Sequence, residues 1–422
     1  MSGLPWELVC AECSSVYAGD AFRYRCDCGG TLDVQHAVTT SVSDELFDDR
    51  LRSKAPLDRS GVWRFRELVL PLSERYVCTR GEGNTPLYWS DRVARYVGLN
   101  QLGLKHEGEN PTGSFKDRGM TTGMSMARYF GAEKVAVAST GNTSASAAAY
   151  AAMAGLESIV FIPDGQIAYG KLGQALAYGA RTVQIAGDFD DAMRLVERMC
   201  NEDGIYLLNS VNPFRIEGQK AIGFELLQDL DWTVPDWIVL PGGNLGNNTA
   251  LTKGMLELKA RGIISKLPRV AVIQASGANP LHRAWHGDGV LRPVKADTIA
   301  TAIKIGAPVS FTKSVRGLRA LGGVVEQVTD TEILEAKAVV DAAGIGAEPA
   351  SCATVAGVRK LVAAGTIPPD ALVCGVLTGH VLKDPGVVVD YHTGKHPGTR
   401  ANPPVRVAAN LDAIRTVLSK HP

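Results

Sequence analysis

From Gly103 onward, short apolar runs alternate with stretches of helical spacing, and no other feature limits the possible folds so sharply. Runs at 134–138, 158–162, 181–185, 205–208, 237–240, 269–274 and 372–377 have the length and Val/Ile content of strands. Between them, helical patterns fall at 144–153, at 190–200 behind an Asp188 cap, at 331–343 behind a Thr329-to-Glu332 capping box, and at 351–363. In the second of these, Ala192, Leu195, Val196 and Met199 share one face. Strand, helix and strand in succession require a parallel sheet covered by helices, so the expected fold is a doubly wound α/β protein of two lobes. Ligands in such sheets sit beyond the carboxyl ends of the strands, and the loops there are where chemistry belongs.

Ahead of this region the chain changes character. Cys10-x-x-Cys13 and Cys26-Asp27-Cys28 are separated by twelve residues, and two thiolate pairs on two turns resemble a zinc ribbon. The Cys-x-Cys knuckle leaves a second reading open, a degenerate ribbon that keeps its fold without metal. Cys78, Cys200, Cys352 and Cys374 are scattered like small core residues. The division expected is a ribbon-like segment at 1–36, an arm at 37–80, a large lobe from 81–119 and 209–390, a small lobe at 120–208, and a tail at 391–422.

Composition removes some partners. Forty-four Lys plus Arg against 44 Asp plus Glu leave no basic excess for nucleic acid or an anionic membrane surface. The charge-free window at 135–156 could span a bilayer, but Ser139-Thr-Gly-Asn-Thr-Ser144 interrupts it, so it reads as a soluble loop and a buried helix. The first ten residues hold no basic run before an apolar stretch, and a cytoplasmic location is expected. The 45 glycines in 422 residues exceed the ~7% norm, which suits tight loops around a small ligand.

Four loops carry chemistry. In Asn110-Pro-Thr-Gly-Ser-Phe-Lys-Asp-Arg-Gly119, Lys116 opens a helix expected to run through Met126. A desolvated lysine near positive helix-end charge can act as an amine nucleophile toward an aldehyde; a surface lysine paired with Asp117 is the alternative. Ala138-Ser-Thr-Gly-Asn-Thr-Ser144 leaves a strand and enters a helix, offering hydroxyls and backbone amides to a carboxylate. Leu240-Pro-Gly-Gly-Asn-Leu-Gly-Asn-Asn248 has the form of a phosphate cradle, and Leu377-Thr378-Gly379-His380 places a hydroxyl where it could bond a ring nitrogen. Together these are what pyridoxal phosphate needs. Two lookalikes fail: Gly165-x-x-x-x-Gly170-Lys171-Leu172 lacks the hydroxyl a P-loop uses for magnesium, and His282-x-x-x-His286 lacks the zincin glutamate.

The stretches 110–119, 138–152, 209–220, 300–306, 348–351 and 377–380, with Gly81-Glu-Gly-Asn-Thr-Pro-Leu87, closely resemble the threonine synthase family of pyridoxal-phosphate fold type II. The likeness covers about residues 80–390. It implies two doubly wound lobes with the cofactor between them, and a homodimer. It further implies that Lys116 holds the cofactor covalently, that Asn142 bonds its 3′ oxygen, and that Gly243, Asn244, Leu245, Gly246 and Asn247 hold its phosphate. Thr378 would meet the ring nitrogen. Ser139, Thr140 and Thr143 would face the substrate carboxylate, and Asn209, Ser210 and Arg215 the substrate's own phosphate. Two departures stand out: a Gly242-Gly243 start to the cradle where a larger residue is expected, and a longer tail beyond Asp384 with Tyr391, His392 and His396.

The reaction so implied is loss of the γ-phosphate of O-phospho-L-homoserine and addition of water at Cβ to give L-threonine, with Lys116 moving protons. Thr378 cannot protonate the ring as a carboxylate would, which tempers carbanion stabilisation. A related serine/threonine dehydratase, or a β-replacement enzyme such as a cysteate synthase, is the rival within the same chemistry. Arg215 with Asn209 and Ser210 separates them, since a dehydratase has no distal phosphate to bind. A zinc-ribbon interaction protein with a silent core is the rival outside it.

Overall fold

The computed structural model describes residues 4–37, 41–163, 169–186, 189–396 and 398–419. The Asp188 cap and the first half of the P-loop lookalike lie outside the described residues. Near the N-terminus, β1 (Trp6–Cys10) pairs antiparallel with β2 (Val16–Ala18) and β3 (Leu32–His36). The body holds β4 (Leu87–Trp89), β5 (Leu102–His106), β6 (Lys134–Ala138), β7 (Glu157–Pro163), β8 (Arg181–Ile185), β9 (Tyr206–Leu207), β10 (Trp237–Pro241), β11 (Arg269–Ala275), β12 (Val324–Val328) and β13 (Val373–Leu377). They form two sheets: one of order β12-β11-β10-β13-β5-β4, parallel except at β4, and one of order β8-β7-β6-β9, parallel throughout.

Burial explains this order. Every residue of β10, β13 and β5 is buried, as parallel strands covered on both faces must be. The sequence reading does not single out β4, β5 or β12. Lys105 and His106 break the apolar run of β5, Glu326 and Gln327 that of β12, and β4 and β12 are edge strands. The capping box forms as expected, with Thr329 and Glu332 each bonding the other's backbone ahead of the helix Asp330–Ala342. Leu195 does not face inward: it is 57% exposed, while Val196 and Cys200 carry the buried stripe of the helix Phe189–Glu202. No described helix is long and apolar enough to cross a membrane.

The arm contributes core. Phe47, Val62, Trp63, Phe65, Leu68, Val69 and Leu70 are all buried, and Trp63 Nε1 donates to Thr121 Oγ1 at 2.8 Å. Beneath it lies a buried charge network. Arg118 donates to both oxygens of Glu107 at 2.6 Å and to Glu225 at 2.8 Å, while Lys105 reaches Glu225 at 2.7 Å and Asp229 at 2.5 Å. Burial pushes the Glu225 carboxyl up, but Arg118 and Lys105 outweigh it and hold the group well below the usual range.

The N-terminal sheet is seated on both halves of the body. Lys253, Lys313 and Arg316 donate to the main-chain oxygens of Val34, Leu32 and Ala11, respectively. On the other side, Leu207 N of β9 donates to Tyr24 Oη at 2.7 Å, and Arg25 pairs with Glu197 at 3.3 Å. His36, Glu217 and Glu257 come close enough to suggest a metal, but Lys220 and Lys253 each lie 2.6 Å from Glu217, so this is an ion-pair seam.

Candidate active site

The site grows from loops that leave the carboxyl ends of strands. Lys116 begins the helix Lys116–Tyr129, and the loop before it is stitched to the loop after β13. Phe115 N donates to Thr378 O at 3.0 Å, and His380 N to Gly113 O at 3.0 Å; Gly113 adopts φ 85°, which favours glycine. The surface-lysine alternative falls. Thr112 and Ser146 occupy the Asp117 carboxylate, whose carboxyl is raised to about 6 by burial, and among the described residues Lys116 makes no ion pair. Desolvation, then the Arg215 charge, push the Lys116 amine down to about 7, with Glu348 pulling the other way. Near neutral pH much of this amine is therefore unprotonated and nucleophilic.

Two helices open toward the same region without a side-chain cap. The helix Asn142–Ala154 starts after Gly141, and Gly246–Ala260 starts after Leu245, so their first backbone N–H groups are available to an anion. Leu245 holds φ 64°, a strained conformation for a branched residue and one that belongs at a functional turn. Gly242 is required: a Cβ there would lie 2.5 Å from Val272 Cγ1, so a larger residue would not fit.

Unpartnered buried atoms mark what these loops surround. Among the described residues, Ser114 Oγ, Asn142 Oδ1, Arg215 Nε, Gln219 Oε1, and both polar atoms of Asn247 find no hydrogen-bond partner. Buried polar groups are ordinarily satisfied, and these, on the Ser114 turn and in helices that follow strands, fit a polar ligand with a phosphate. Thr378 Oγ1 lies 3.0 Å from Ser351 Oγ, which also accepts from Gly379 N at 2.9 Å, so the hydroxyl is held in place at the end of β13. Ser139, Thr140 and Thr143 are half-buried beside the Asn142 turn.

Some expected residues do other work. Asn209 clamps β6, accepting from Ala138 N at 2.8 Å and donating to Ala138 O at 2.9 Å. The Asn244 side chain accepts from Val309 N at 3.4 Å, which ties the cradle to the loop before the helix Phe311–Ala320. Arg215 is buried with one donor on Leu208 O at 2.8 Å, and burial brings its guanidinium down to about 10. Ser210 is half-buried at the end of the same turn. Glu348, Ser351 and Gln219 join the site without having been singled out. Glu348-Pro-Ala-Ser351 belongs to the stretches that carry the family resemblance, but nothing in its spacing assigns its carboxylate a role.

The N-terminal thiols also converge. Cys10 and Cys28 sulfurs lie 3.5 Å apart, those of Cys13 and Cys26 3.4 Å, and all four fall within 4.8 Å of one another. Tetrahedral zinc places sulfurs about 3.8 Å apart, so the donor set fits. Tyr17 Oη, 3.0 Å from Cys26 Sγ, helps bring that thiol down to about 6.

Residues 78–379 match the family model described as pyridoxal-phosphate dependent enzyme. The chain is 47% identical to the threonine synthase of Methanosarcina acetivorans over 98% of both chains. It is 41% identical to that of Methanocaldococcus jannaschii, covering 97% of this chain and 99% of the relative. To threonine synthase 2, chloroplastic, of Arabidopsis thaliana it is 38% identical, over 96% and 82%. Among solved structures, maize serine racemase superposes with TM-score 0.63 at 19% identity, over 83% of this chain and 96% of that one, a likeness of fold.

Proposed function

The chain belongs to the threonine synthases, within the pyridoxal-phosphate dependent enzymes, and on that premise we propose how its own residues carry the reaction. The enzyme is a lyase that converts O-phospho-L-homoserine and water to L-threonine and phosphate. The observation that carries the proposal is Lys116, an amine with no ion pair among the described residues, at the start of a helix whose entry loop is bonded to the Thr378 loop, and desolvated so that it is brought down to about 7.

Bound here, pyridoxal phosphate supplies an aldehyde for that amine and an electron sink for carbanion chemistry. Lys116 would hold the cofactor, and its amine, when free, would carry protons between the substrate's carbon atoms. Gly243, Asn244, Leu245, Gly246 and Asn247 hold the cofactor phosphate at the uncapped helix start, and Asn142 bonds its 3′ oxygen. Thr378, fixed by Ser351, faces the ring nitrogen as a neutral hydroxyl. Ser139, Thr140 and Thr143 receive the substrate carboxylate. Arg215 and Ser210 meet its phosphate, with Asn209 holding their turn against β6. Arg215 is what favours this substrate over free serine or threonine.

Cys10, Cys13, Cys26 and Cys28 hold a structural zinc in the same proposal, supported by their convergence. The cofactor lobe comprises 81–119 and 209–390 and the small lobe 120–208, divided as the two body sheets are. The ribbon at 1–36, the arm at 37–80 and the tail at 391–422 complete the division. A cytoplasmic homodimer is the form we propose for the working enzyme.

Incubation with O-phospho-L-homoserine tests the substrate assignment. Equimolar phosphate and threonine are expected; ammonia and a keto acid from free threonine as the main products would overturn it.

A further inference from the structure

Glu348 is 1% exposed and stands at the N-cap position of the helix Pro349–Ala363, yet its side chain makes no capping bond. A residue in that place ordinarily turns back on its own helix. Glu348 instead reaches across to the loop after β6, where Asn142 Nδ2 donates to its two oxygens at 3.1 and 3.3 Å. Its backbone is fixed as well, with Glu348 N donating to Gly379 O at 2.9 Å. The carboxylate lies against Gly379, where a Cβ would come within 2.5 Å of Oε1.

Resting on the cofactor assignment above, we propose that Glu348 is a positioning residue that fixes the Asn142 amide for the cofactor's 3′ oxygen. An asparagine amide can present either end, and the choice is set by its partners. An ionised carboxylate only accepts, so Glu348 binds the nitrogen end and cannot bind the oxygen end. The rest of the amide is left for the ligand: its Nδ2–H donor capacity toward an oxygen, and an Oδ1 with no partner among the described residues. One charge-assisted contact thus decides how the residue meets the cofactor. The same charge acts on Lys116, where it opposes Arg215.

The test is a double-mutant cycle read by titrating apo-protein with pyridoxal phosphate and following its absorbance. Glu348→Ala is expected to weaken cofactor affinity about tenfold, the scale of one hydrogen bond to a charged group. Glu348→Gln should recover part of that affinity, because its carbonyl still accepts. Combined with Asn142→Ala, Glu348→Ala should add little further loss, since both act through one contact. Gly379→Ala, which displaces the carboxylate without removing it, should reproduce the loss and serves where the Glu348→Ala protein does not fold. Additive losses in the cycle, or unchanged affinity in Glu348→Ala and Gly379→Ala, would overturn the proposal. Failure of the underlying assignment looks different: the unaltered protein would then not take up pyridoxal phosphate.

Discussion

Lys105 and Lys116 flank the same loop, and the structure treats them oppositely. Lys105, at the end of β5, donates to Thr85 O and to the carboxylates of Glu225 and Asp229 within a network that Arg118 and Glu107 complete. Lys116 has no ion pair among the described residues, and its nearest influential charges are a guanidinium that repels it and a carboxylate already engaged by Asn142. Carboxylates take up the first amine, whereas the second, half-buried and denied them, gives up its proton near neutrality. The network keeps the first turns of the helix Lys116–Tyr129 in place, so the paired charges hold the unpaired one where it is needed.

The largest effect expected from this contrast is on turnover. Lys116→Ala should lower the rate of threonine formation by about 10⁴-fold, because both cofactor attachment and proton movement are lost, while the apo-protein melts no lower than the unaltered one. A Lys116→Ala protein that kept substantial turnover would break the comparison. Arg118→Met should act on stability, costing about 3–5 kcal/mol in urea unfolding by stranding Glu107 and Glu225 without their cation. A smaller loss, on the scale of an exposed pair, would mean that the network is dispensable.

The two regions also differ in how they respond to pH. Glu225 is held below its unfolded value, so the stability it contributes is present above about pH 4.3 and is lost as pH falls below that. Lys116 in the apo-protein is held at about 7, below its unfolded value, so between pH 7 and about 10.4 the unfolded chain binds more protons and stability rises with pH. Urea midpoints of apo-protein should show both trends, and Lys116→Met should flatten the second alone. The smallest effect belongs to the rim: Arg25→Ala, removing a pair with Glu197 that is 40% and 29% exposed, should change stability by less than about 1 kcal/mol.

Lys116 was legible in the sequence because its signal is local: a turn, a lysine and a helix start within ten residues. The strands rich in Val and Ile were legible for the same reason. Arg118 and Glu225 are 107 positions apart, and no spacing rule joins them. Glu348 and Asn142 are separated by 206 positions, so the Glu-Pro-Ala-Ser motif could be recognised while the job of its carboxylate could not. Asn209 was expected at the substrate through the family resemblance of its stretch; only the fold shows both its amide atoms engaged with Ala138.

Lys253, Lys313 and Arg316 meet the N-terminal sheet at carbonyl oxygens of Val34, Leu32 and Ala11. A carbonyl is the same whatever side chain follows it, so these three contacts recognise the route of the chain, while Lys253 to Asp33 at 3.1 Å and Glu217 to His36 at 2.6 Å read two of its letters. Such a seam behaves as a socket. Substitutions on the outer face of the sheet leave it undisturbed, and a segment of different sequence that traced the same path around four thiols would find the same three donors waiting.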